Sequence, residues 1–381
     1  MGNLSCYAVV VPGLETMAGD ELNELAAHDV KVEEGGVSFT TTMDGLFRIN
    51  LRSRIVTRVL IRLASFRAMS FPELYNKSRK VVWEHYIGSQ ASISVRASCK
   101  TSKLMHSGRA ERAVSDAVRD RFGIASQKIT SQKDESIETE TDNRGSEQQI
   151  LLRIENNQCT ISLDTSGERL DRRGYRLHSG RAPVRETIAA AILRWMDWGI
   201  DEPLLSPMCG SGTFAIEAAW MAEKRAPGLD HGFPFLHWPS FKQKRWHRAV
   251  EKAHAMQSSN PACIIASELD AGILEQAREN AAQAGAADII RFEQLDVCRL
   301  TVPENISGPG LIICNPPYGD RVKVDVKSLY KNLGEVFSQQ FSGWRMAVMV
   351  PDQICENALG LKVKKRFKIK HGGRWVHVLS V

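Results

Sequence analysis

The sequence predicts an α/β protein, with a mostly parallel sheet in its second half and two smaller α+β units in front of it. Three observations support this prediction. After residue 181, short apolar strands alternate with helices, a pattern typical of a parallel sheet. Two apolar runs on either side of Gly372-Gly373 then predict a terminal antiparallel hairpin. The length of 381 residues is sufficient for two or three domains.

The first 65 residues predict a small α+β unit. Pro12 and Gly13 end an apolar run, and four apolar residues then follow at helical spacing. Gly35-Gly36 turns the chain into the next strand. Strands are predicted at 7–11, 37–39 and 56–64, and helices at 14–25 and 44–51.

A second unit is predicted from residue 66 to residue 166, followed by a linker at 167–181. Ser107 is a candidate N-cap and Gly123 a candidate C-cap for a helix whose apolar residues share one face. The other predicted elements are a helix at 71–82, strands at 92–97, 150–154 and 160–164, and a polar loop at 130–146.

Residues 182–381 predict the parallel sheet and the helices that cover it. Its strands are short apolar runs, and a Gly-containing turn leads from the first of them into a helix. Helices are predicted at 187–198, 213–221 and 271–284, and strands at 204–205, 264–267, 288–293, 311–314, 346–350, 367–370 and 375–379.

The distribution of charge predicts a polyanionic partner. The formal net charge is only +6, but residues 46–128 contain 17 Lys or Arg against 5 Asp or Glu. Residues 361–381 contain seven basic residues and no acid. Such clusters are typical of surfaces that face phosphates. The alternative is a solvated face that nearby acids balance in the folded protein.

Cysteine usage and the length of the apolar runs exclude several classes of protein. The eight cysteines are scattered without a C-x-x-C pair, so the sequence predicts neither a disulfide scaffold nor a zinc site. The N-terminus lacks a signal-peptide pattern, and no uncharged apolar stretch is long enough to span a bilayer. We therefore expect a reduced cytoplasmic protein that holds no metal and contacts no membrane.

A glycine loop joins the first predicted strand of the sheet to a helix. Its sequence runs from Pro207 to Thr213 and contains Cys209-Gly210-Ser211-Gly212. The glycines allow a tight turn and the close approach of a ligand, and the amides of a helix N-terminus favour a carboxylate. A G-x-G pattern is weakly specific, and a simple strand–helix turn is the alternative.

Acidic residues follow the next two strands. Glu268 ends one strand, where a carboxylate can accept hydrogen bonds from ribose hydroxyls. Asp270 is better placed to cap the helix that begins near residue 271. Asp296 follows the third strand, and it can accept from an adenine amino group or simply belong to the loop.

Asn315-Pro316-Pro317-Tyr318 is the most informative motif of the chain. It follows an apolar strand, and open α/β sheets bind ligands at the carboxyl ends of their strands. The two prolines lack backbone donors, the amide adds an acceptor, and the ring offers a stacking surface. These groups can orient the exocyclic amine of a base. The alternative is a proline turn with a tyrosine in the core.

The order of these motifs resembles class I S-adenosylmethionine-dependent methyltransferases, and Asn-Pro-Pro-Tyr resembles their amino-methylating members. Residues 163–168, 170–175 and 182–187 resemble the linker and domain entry of the RNA methyltransferases that contain a THUMP domain. Among these, the chain is similar to the bacterial 23S rRNA guanine-N2 methyltransferase family over essentially its whole length.

This resemblance implies a ferredoxin-like domain at 1–65, a THUMP RNA-binding domain at 66–166, a linker at 167–181 and a Rossmann-like seven-stranded methyltransferase domain at 182–381. It also implies roles for the motif residues. Asn315, Pro316 and Tyr318 would hold the base as the catalytic group. S-adenosylmethionine would contact Pro207, Cys209, Gly210, Gly212, Glu268, Asp296 and Asn315.

The chain departs from the family pattern in two ways. The family usually places Asp before the Pro of the glycine loop, and here that residue is Ser206. A serine can form hydrogen bonds but brings no charge, so the affinity for the cofactor is in question. Some family members also carry a second methyltransferase half, and this chain ends after one.

Two further segments are candidates for RNA contact. Lys100, Lys103 and Arg109, near His106, lie between a strand and a helix N-terminus and could meet phosphates. The insert at 223–260 interleaves aromatic and basic residues, which suits RNA. The same aromatics could instead pin the insert onto the domain, and we favour that interpretation.

We therefore expect methyl transfer from S-adenosylmethionine to the exocyclic amine of guanine in RNA, with 23S rRNA as the partner. One alternative is an adenine-N6 DNA methyltransferase, because the motif does not distinguish the bases. Another is a non-catalytic RNA-binding or assembly factor, which Ser206 makes conceivable. A nicotinamide oxidoreductase is disfavoured because the third glycine of its fingerprint is missing.

Overall fold

The structure is a computed structural model, and it describes residues 3–123, 147–179, 183–259, 262–304, 306, 308–318 and 325–381. The polar loop predicted at 130–146 lies outside these described residues. Within the described ranges, no helix has both the length and the apolar character needed to cross a bilayer.

The first half of the chain forms one sheet with helices packed against it. Its strands are β1 (Leu4–Val9), β2 (His28–Glu33), β3 (Gly36–Thr41), β4 (Arg58–Arg67), β5 (Ser92–Lys100), β6 (Glu147–Glu155) and β7 (Gln158–Asp164). Its helices are α1 (Glu15–Glu24), α2 (Met43–Arg52), α3 (Phe71–Arg79) and α4 (Ser107–Phe122). The strand order is β2-β3-β1-β4-β7-β6-β5.

Strand β4 joins the two predicted α+β units into this single sheet. It pairs antiparallel with β1 on one side and with β7 on the other. Arg58 of β4 also forms an ion pair with the buried carboxylate of Asp164 at the end of β7. The predicted boundary at 65/66 therefore falls inside a strand, and the two predicted units share one sheet.

One strand of this sheet has no counterpart among the sequence predictions. Strand β2 is an edge strand, and nearly all of its residues are exposed. An edge strand needs no apolar alternation and is often charged, so its polar sequence carried no strand signal.

The second half of the chain forms the predicted α/β domain. Its strands are β8 (Leu204–Pro207), β9 (Ile264–Glu268), β10 (Ile290–Gln294), β11 (Leu311–Cys314), β12 (Arg345–Val350), β13 (Lys365–His371) and β14 (Arg374–Ser380). Its helices are α5 (Glu186–Trp195), α6 (Thr213–Ala222), α7 (Gln243–Ala255), α8 (Ala271–Gln283), α9 (Val326–Gln340) and α10 (Gln353–Leu359).

This second sheet confirms the predicted fold class. Its strand order is β10-β9-β8-β11-β12-β14-β13. The first five strands in this order are parallel to one another. The pairs β12–β14 and β13–β14 are antiparallel, as the terminal hairpin predicts. Every residue of β8 and β11 is buried, which is typical of central strands covered by helices on both faces.

The predicted helix caps are partly right. Asp270 caps α8 by accepting from the amides of Gly272 and Ile273, which confirms its assignment. Gly123 ends α4 in the left-handed conformation, as predicted. The prediction of Ser107 as N-cap is wrong, because His106 precedes the helix and its Nδ1 accepts from the Arg109 amide at 3.2 Å. A neutral imidazole nitrogen can serve as this acceptor.

The aromatic residues of the insert pin it in place, as we expected, but onto the first unit. The rings of Phe233 and Phe235 are fully buried, and Phe47 of α2 lies 4.9 Å from Phe235 and 5.5 Å from Trp246 between ring centroids. Edge-on and tilted contacts of this kind add to the gain from burial. The insert therefore ties the second half of the molecule to α2, and it contains α7, which the sequence did not reveal.

Candidate active site

The candidate site lies at the carboxyl ends of neighbouring parallel strands. Strand β8 pairs with β9 on one side and with β11 on the other. The glycine loop follows β8, Glu268 ends β9, and Asn315 follows β11. The structure thus brings these three predicted segments to one edge of the sheet, where open α/β folds bind ligands.

The glycine loop has a conformation that favours glycine. Gly210 and Gly212 have φ values of +55° and +80°. A Cβ atom on Gly212 would lie 3.3 Å from the Cβ of Ala277, so this residue also allows α6 and α8 to approach closely. A Cβ atom on Gly210 would meet no described atom within 4 Å, which leaves open space beside the loop. Met208 adopts φ +53°, a strained value for a residue with a side chain.

Glu268 holds the glycine loop directly. Its Oε2 accepts from the Gly210 amide at 3.0 Å, and its Oε1 accepts from the Leu269 amide at 2.9 Å. A carboxylate has about four lone-pair sites, so about two remain available to a ligand. Its assignment to a ribose remains a prediction that this geometry permits.

Asp296 has a hydrogen-bond partner within its own loop. Asp296 accepts from the Cys298 amide at 2.9 Å and begins a short 3₁₀ helix, so the loop interpretation has a structural basis.

Burial, followed by the charge of Glu268, raises the pKa of the Cys209 thiol well above its ordinary value. Burial also raises the pKa of Cys314 to about 12. Both thiols are therefore protonated at neutral pH and are poor nucleophiles.

Arg176 of the linker organises the loop, and sequence reasoning missed it. Its Nη1 donates to the Ser211 hydroxyl at 2.7 Å, and its Nη2 donates to the Thr213 hydroxyl at 2.9 Å. Its Nε donates to the Glu186 carboxylate at 2.8 Å. Burial raises the pKa of Glu186, and the guanidinium of Arg176 partly opposes that shift. The segment predicted as a linker therefore contacts the glycine loop and holds its side chains in position.

Asn280 of α8 also joins the linker to the loop. Its side chain is fully buried, and its Nδ2 donates to the carbonyls of Ser211 and His178 at 3.1 Å. Its Oδ1 accepts from the amide of Leu177 at 2.8 Å. No periodic pattern marks such a residue, because its partners lie far away along the chain.

Two buried polar atoms near the strand ends lack a partner among the described residues. They are Oδ1 of Asn315 and Oγ of Ser206. An unsatisfied buried acceptor costs about 1–3 kcal/mol, so a ligand or a water that bonds to Asn315 would be stabilising. Pro316 is buried and Tyr318 is half-buried against the core.

These features fit the cofactor that the sequence resemblance implies. The loop offers amides and open space beside Gly210, and Glu268 has acceptor capacity left for hydroxyls. The buried Ser206 hydroxyl stands where the resemblance leads us to expect an acid, and it supplies a polar atom without charge. Within the described part of the chain, no cluster of three potential metal ligands occurs.

The three predicted RNA contacts lie on the exposed surface of the second unit. Lys100 ends β5, and Lys103 follows it in the next loop. The guanidinium of Arg109 lies 4.4 Å from the ring centroid of Phe71, which fixes its position by a cation–π contact. Their contact with RNA remains a prediction.

Three family models match the chain in succession. A RlmL ferredoxin-like domain matches residues 5–60, a THUMP domain matches residues 68–164, and an RMKL-like methyltransferase domain matches residues 173–378. The last match alone covers more than half of the chain.

Two relatives are similar along nearly all of this sequence. A protein of Synechocystis sp. that is named as an RNA methyltransferase is 34% identical over 375 residues, covering 96% of this chain and 94% of the relative. The ribosomal RNA large subunit methyltransferase K/L of Syntrophotalea carbinolica is 36% identical and covers 98% of this chain. The alignment spans only 53% of that enzyme, so this chain corresponds to about half of it.

Solved structures share the complete architecture. A methyltransferase crystallised with S-adenosylhomocysteine has a TM-score of 0.87 at 29% identity, over all of this chain and 98% of its own. A Listeria monocytogenes protein that is described as a predicted N6-adenine-specific DNA methylase has a TM-score of 0.87 at 30% identity, over all of this chain and 96% of its own.

Proposed function

The chain belongs to the family of RMKL-like methyltransferases that carry a THUMP domain, and from this premise we propose that it methylates the N2 amine of a guanine in 23S rRNA. The donor of this domain class is S-adenosylmethionine, which supplies an electrophilic methyl group when bound. The observation that carries the proposal is the buried Asn315 Oδ1, which has no partner among the described residues and follows a central strand beside two prolines.

The cofactor is held by the segment from Pro207 to Gly212 and by acidic side chains at two strand ends. In this assignment the loop amides bind the methionine carboxylate, the remaining acceptor sites of Glu268 bind the ribose, and Asp296 accepts from the adenine amine. The support is the positive φ of both glycines and the bond from Gly210 to Glu268, which together set the loop beside an acceptor.

Asn315, Pro316 and Tyr318 position the base. The target guanine leaves its stack, at a cost of a few kcal/mol, and stacks on the ring of Tyr318. The amide oxygen of Asn315 and the carbonyl of Pro316 each accept a hydrogen bond from the exocyclic amine, and these two bonds fix the direction of the nitrogen lone pair. Good alignment alone can contribute up to about 7–11 kcal/mol. The nitrogen takes the methyl group as the sulfonium S–C bond breaks and a thioether leaves. The methylated nitrogen then releases its proton to water, so no strong base is needed in the site.

The first two units, proposed at 1–65 and 66–166, hold the RNA. The support is the excess of basic residues in this half, the exposed position of Lys100, Lys103 and Arg109, and the match of residues 68–164 to a THUMP domain. The name of the K/L relative is the basis for choosing large-subunit rRNA as the substrate.

Changing Asn315 to Ala tests the assignment. We expect methyl transfer to fall about 100-fold or more, because a misaligned reactant costs about that much. The affinity for RNA should stay within about twofold, and the affinity for S-adenosylhomocysteine should fall by much less than the rate. Tritium transfer into 23S rRNA measures the rate, calorimetry measures cofactor binding, and Asn357→Ala on the exposed face of α10 is the matched control. Wild-type turnover in the Asn315 variant contradicts the proposal.

The adenine-N6 DNA methyltransferase is the second candidate, because the Listeria neighbour is described in those terms. Tritium transfer into rRNA and into duplex DNA separates the two candidates, and mass spectrometry of the nucleosides identifies the methylated base. Label that enters only DNA as N6-methyladenine supports the second candidate. An absence of S-adenosylhomocysteine binding supports instead a non-catalytic RNA-binding factor.

A further inference from the structure

A basic cleft lies between α2 of the first unit and α7 of the insert. Its volume is about 310 Å³, and its walls carry five cationic side chains. They are Arg48, Arg52, Arg245, Arg248 and Lys252. The cleft belongs to neither the glycine loop nor the Asn-Pro-Pro-Tyr segment, and sequence reasoning did not bring its two helices together.

The spacing of these cations places them in two facing rows. Arg48 and Arg52 are four residues apart on α2. On α7, Arg248 lies three residues after Arg245, and Lys252 follows four residues later. Residues three and four apart share one helix face, so each helix turns a continuous basic row toward the cleft.

The cleft has a clear excess of positive charge. Among the described residues that line it, Asp44 is the one acid, and it pairs with Arg245 at 2.8 Å. Within the described part of the chain, neither Arg248 nor Lys252 has an ion-pair partner. Burial, followed by the neighbouring charge of Arg48, lowers the pKa of Arg52. A bound anion would relieve this mutual repulsion.

Aromatic packing holds the two walls in position without a ligand. The ring centroid of Phe47 on α2 lies 5.5 Å from that of Trp246 on α7 and 6.1 Å from that of Phe241, just before α7. The Gly228 amide donates to the carbonyl of Leu51 at 2.8 Å, which fixes the start of the insert against the end of α2. A preformed site avoids the entropic cost of ordering its side chains and backbone on binding.

We propose that this cleft binds the sugar–phosphate backbone of the RNA substrate, an inference that rests on the proposed function. Among the described residues that line the cleft, none carries an aromatic ring, so it offers charge to phosphates but no stacking surface to bases. From Arg245 to Lys252, α7 rises about 10 Å. Cations spread over that length can contact more than one phosphate of a strand.

The cleft therefore adds a contact for RNA where the methyltransferase insert meets the ferredoxin-like unit. A strand held there would bridge the two halves of the molecule. Because phosphate contacts position RNA without reading its sequence, the contribution should be the same for any RNA of similar shape.

The test compares two double variants in RNA binding. Arg248→Ala/Lys252→Ala removes two cleft cations from exposed positions of α7, where alanine favours the helix. Lys31→Ala/Arg291→Ala removes the same charge from exposed positions on the edge strands β2 and β10. Fluorescence anisotropy with transcribed 23S rRNA fragments, at several salt concentrations, gives the affinity and its salt dependence. Thermal melting and S-adenosylhomocysteine calorimetry check that each variant is folded.

The cleft variant should lower the slope of log affinity against log salt by about 1.6, since each lost phosphate contact removes about 0.7–0.9. At 0.15 M salt this corresponds to a loss of about 20-fold relative to wild type, if the contact vanishes at 1 M salt. The control variant should keep the wild-type slope within about 0.5.

Equal slopes and affinities for the two double variants overturn the cleft inference. If the wild type methylates rRNA in that case, the proposed function stands. If the cleft variant loses RNA affinity but the wild type methylates no RNA, the cleft stands and the proposed function falls. A wild type that binds no RNA overturns both.

Discussion

Replacing Arg176 with Ala should weaken cofactor binding without touching a residue of the predicted motifs. The guanidinium forms hydrogen bonds to Ser211, Thr213, Glu186 and the Val184 carbonyl, and its side chain is only 16% exposed. Without it, two residues of the glycine loop lose their side-chain anchors. Asn280 is independent of Arg176 and would still hold the carbonyl of Ser211.

The expected loss of cofactor affinity follows from the entropic cost of ordering the glycine loop when the ligand binds. Fixing the backbone of a residue costs about 1–2 kcal/mol, so ordering two residues on binding would cost about 2–4 kcal/mol. Because Asn280 retains part of that order, we expect the lower end of the range. The dissociation constant for S-adenosylhomocysteine should then rise about 30-fold, at 1.4 kcal/mol for each factor of ten.

The same variant should be less stable, and the loss should grow with pH. Burial already raises the pKa of Glu186, and removing Arg176 raises it further. An acid whose pKa is higher in the folded than in the unfolded state binds more protons when folded, so it destabilises the fold as pH rises through that window. The difference in melting temperature from wild type should therefore be larger at pH 8 than at pH 5.

Isothermal calorimetry with S-adenosylhomocysteine and thermal melting at the two pH values measure these effects. Arg176→Lys is the matched control, because it keeps a positive charge near Glu186 but lacks the planar fork of donors. It should restore much of the stability and little of the affinity. Wild-type affinity in Arg176→Ala would refute the idea that the linker organises the loop.

Two further variants test other contacts. Glu268→Gln should weaken S-adenosylhomocysteine binding about tenfold by calorimetry, because the hydrogen bond from Gly210 loses its charge assistance; an unchanged affinity would show that the carboxylate charge is not needed. Phe235→Ala should cost about 3–5 kcal/mol of local stability through the cavity left beside Phe47. Faster hydrogen exchange in α2 and α7 would show this, with Phe66→Ala on the first sheet as control, and unchanged exchange would contradict it.

The sequence predicted the second sheet well because its signals are local. Each strand is a short apolar run, and each motif follows a strand end, so their order along the chain was sufficient to place them at one edge. Asp270 and Gly123 were recognised because caps depend on residues within a turn of the helix. The tight turn at Gly210 and Gly212 was also predictable, because positive φ values depend mainly on the residue itself.

What the sequence did not reveal depends on distant contacts. Arg176 meets Ser211 35 residues away, and Asn280 meets the same loop from 69 residues away. Neither side chain belongs to a periodic pattern or a motif. Helix α7 is an exception, because Trp246, Val250 and Ala253 follow a local helical spacing that was not used to predict it. The cleft with α2, in contrast, requires a contact between segments about 200 residues apart. An exposed edge strand such as β2 likewise has no apolar pattern to detect.

The sheet that β4 shares with both amino-terminal units has a consequence for how the protein is made. Strand β4 can join β1 as soon as it leaves the ribosome, but β7 is synthesised about 90 residues later. At about 5–20 residues per second, one edge of β4 stays open for about 5–20 s during translation. An open strand edge invites pairing with other chains. Strand β4 carries Arg58, Arg62 and Arg67, and charged side chains are one way in which proteins protect an open edge. We therefore expect these arginines to discourage such pairing until β7 arrives, when Arg58 pairs with Asp164.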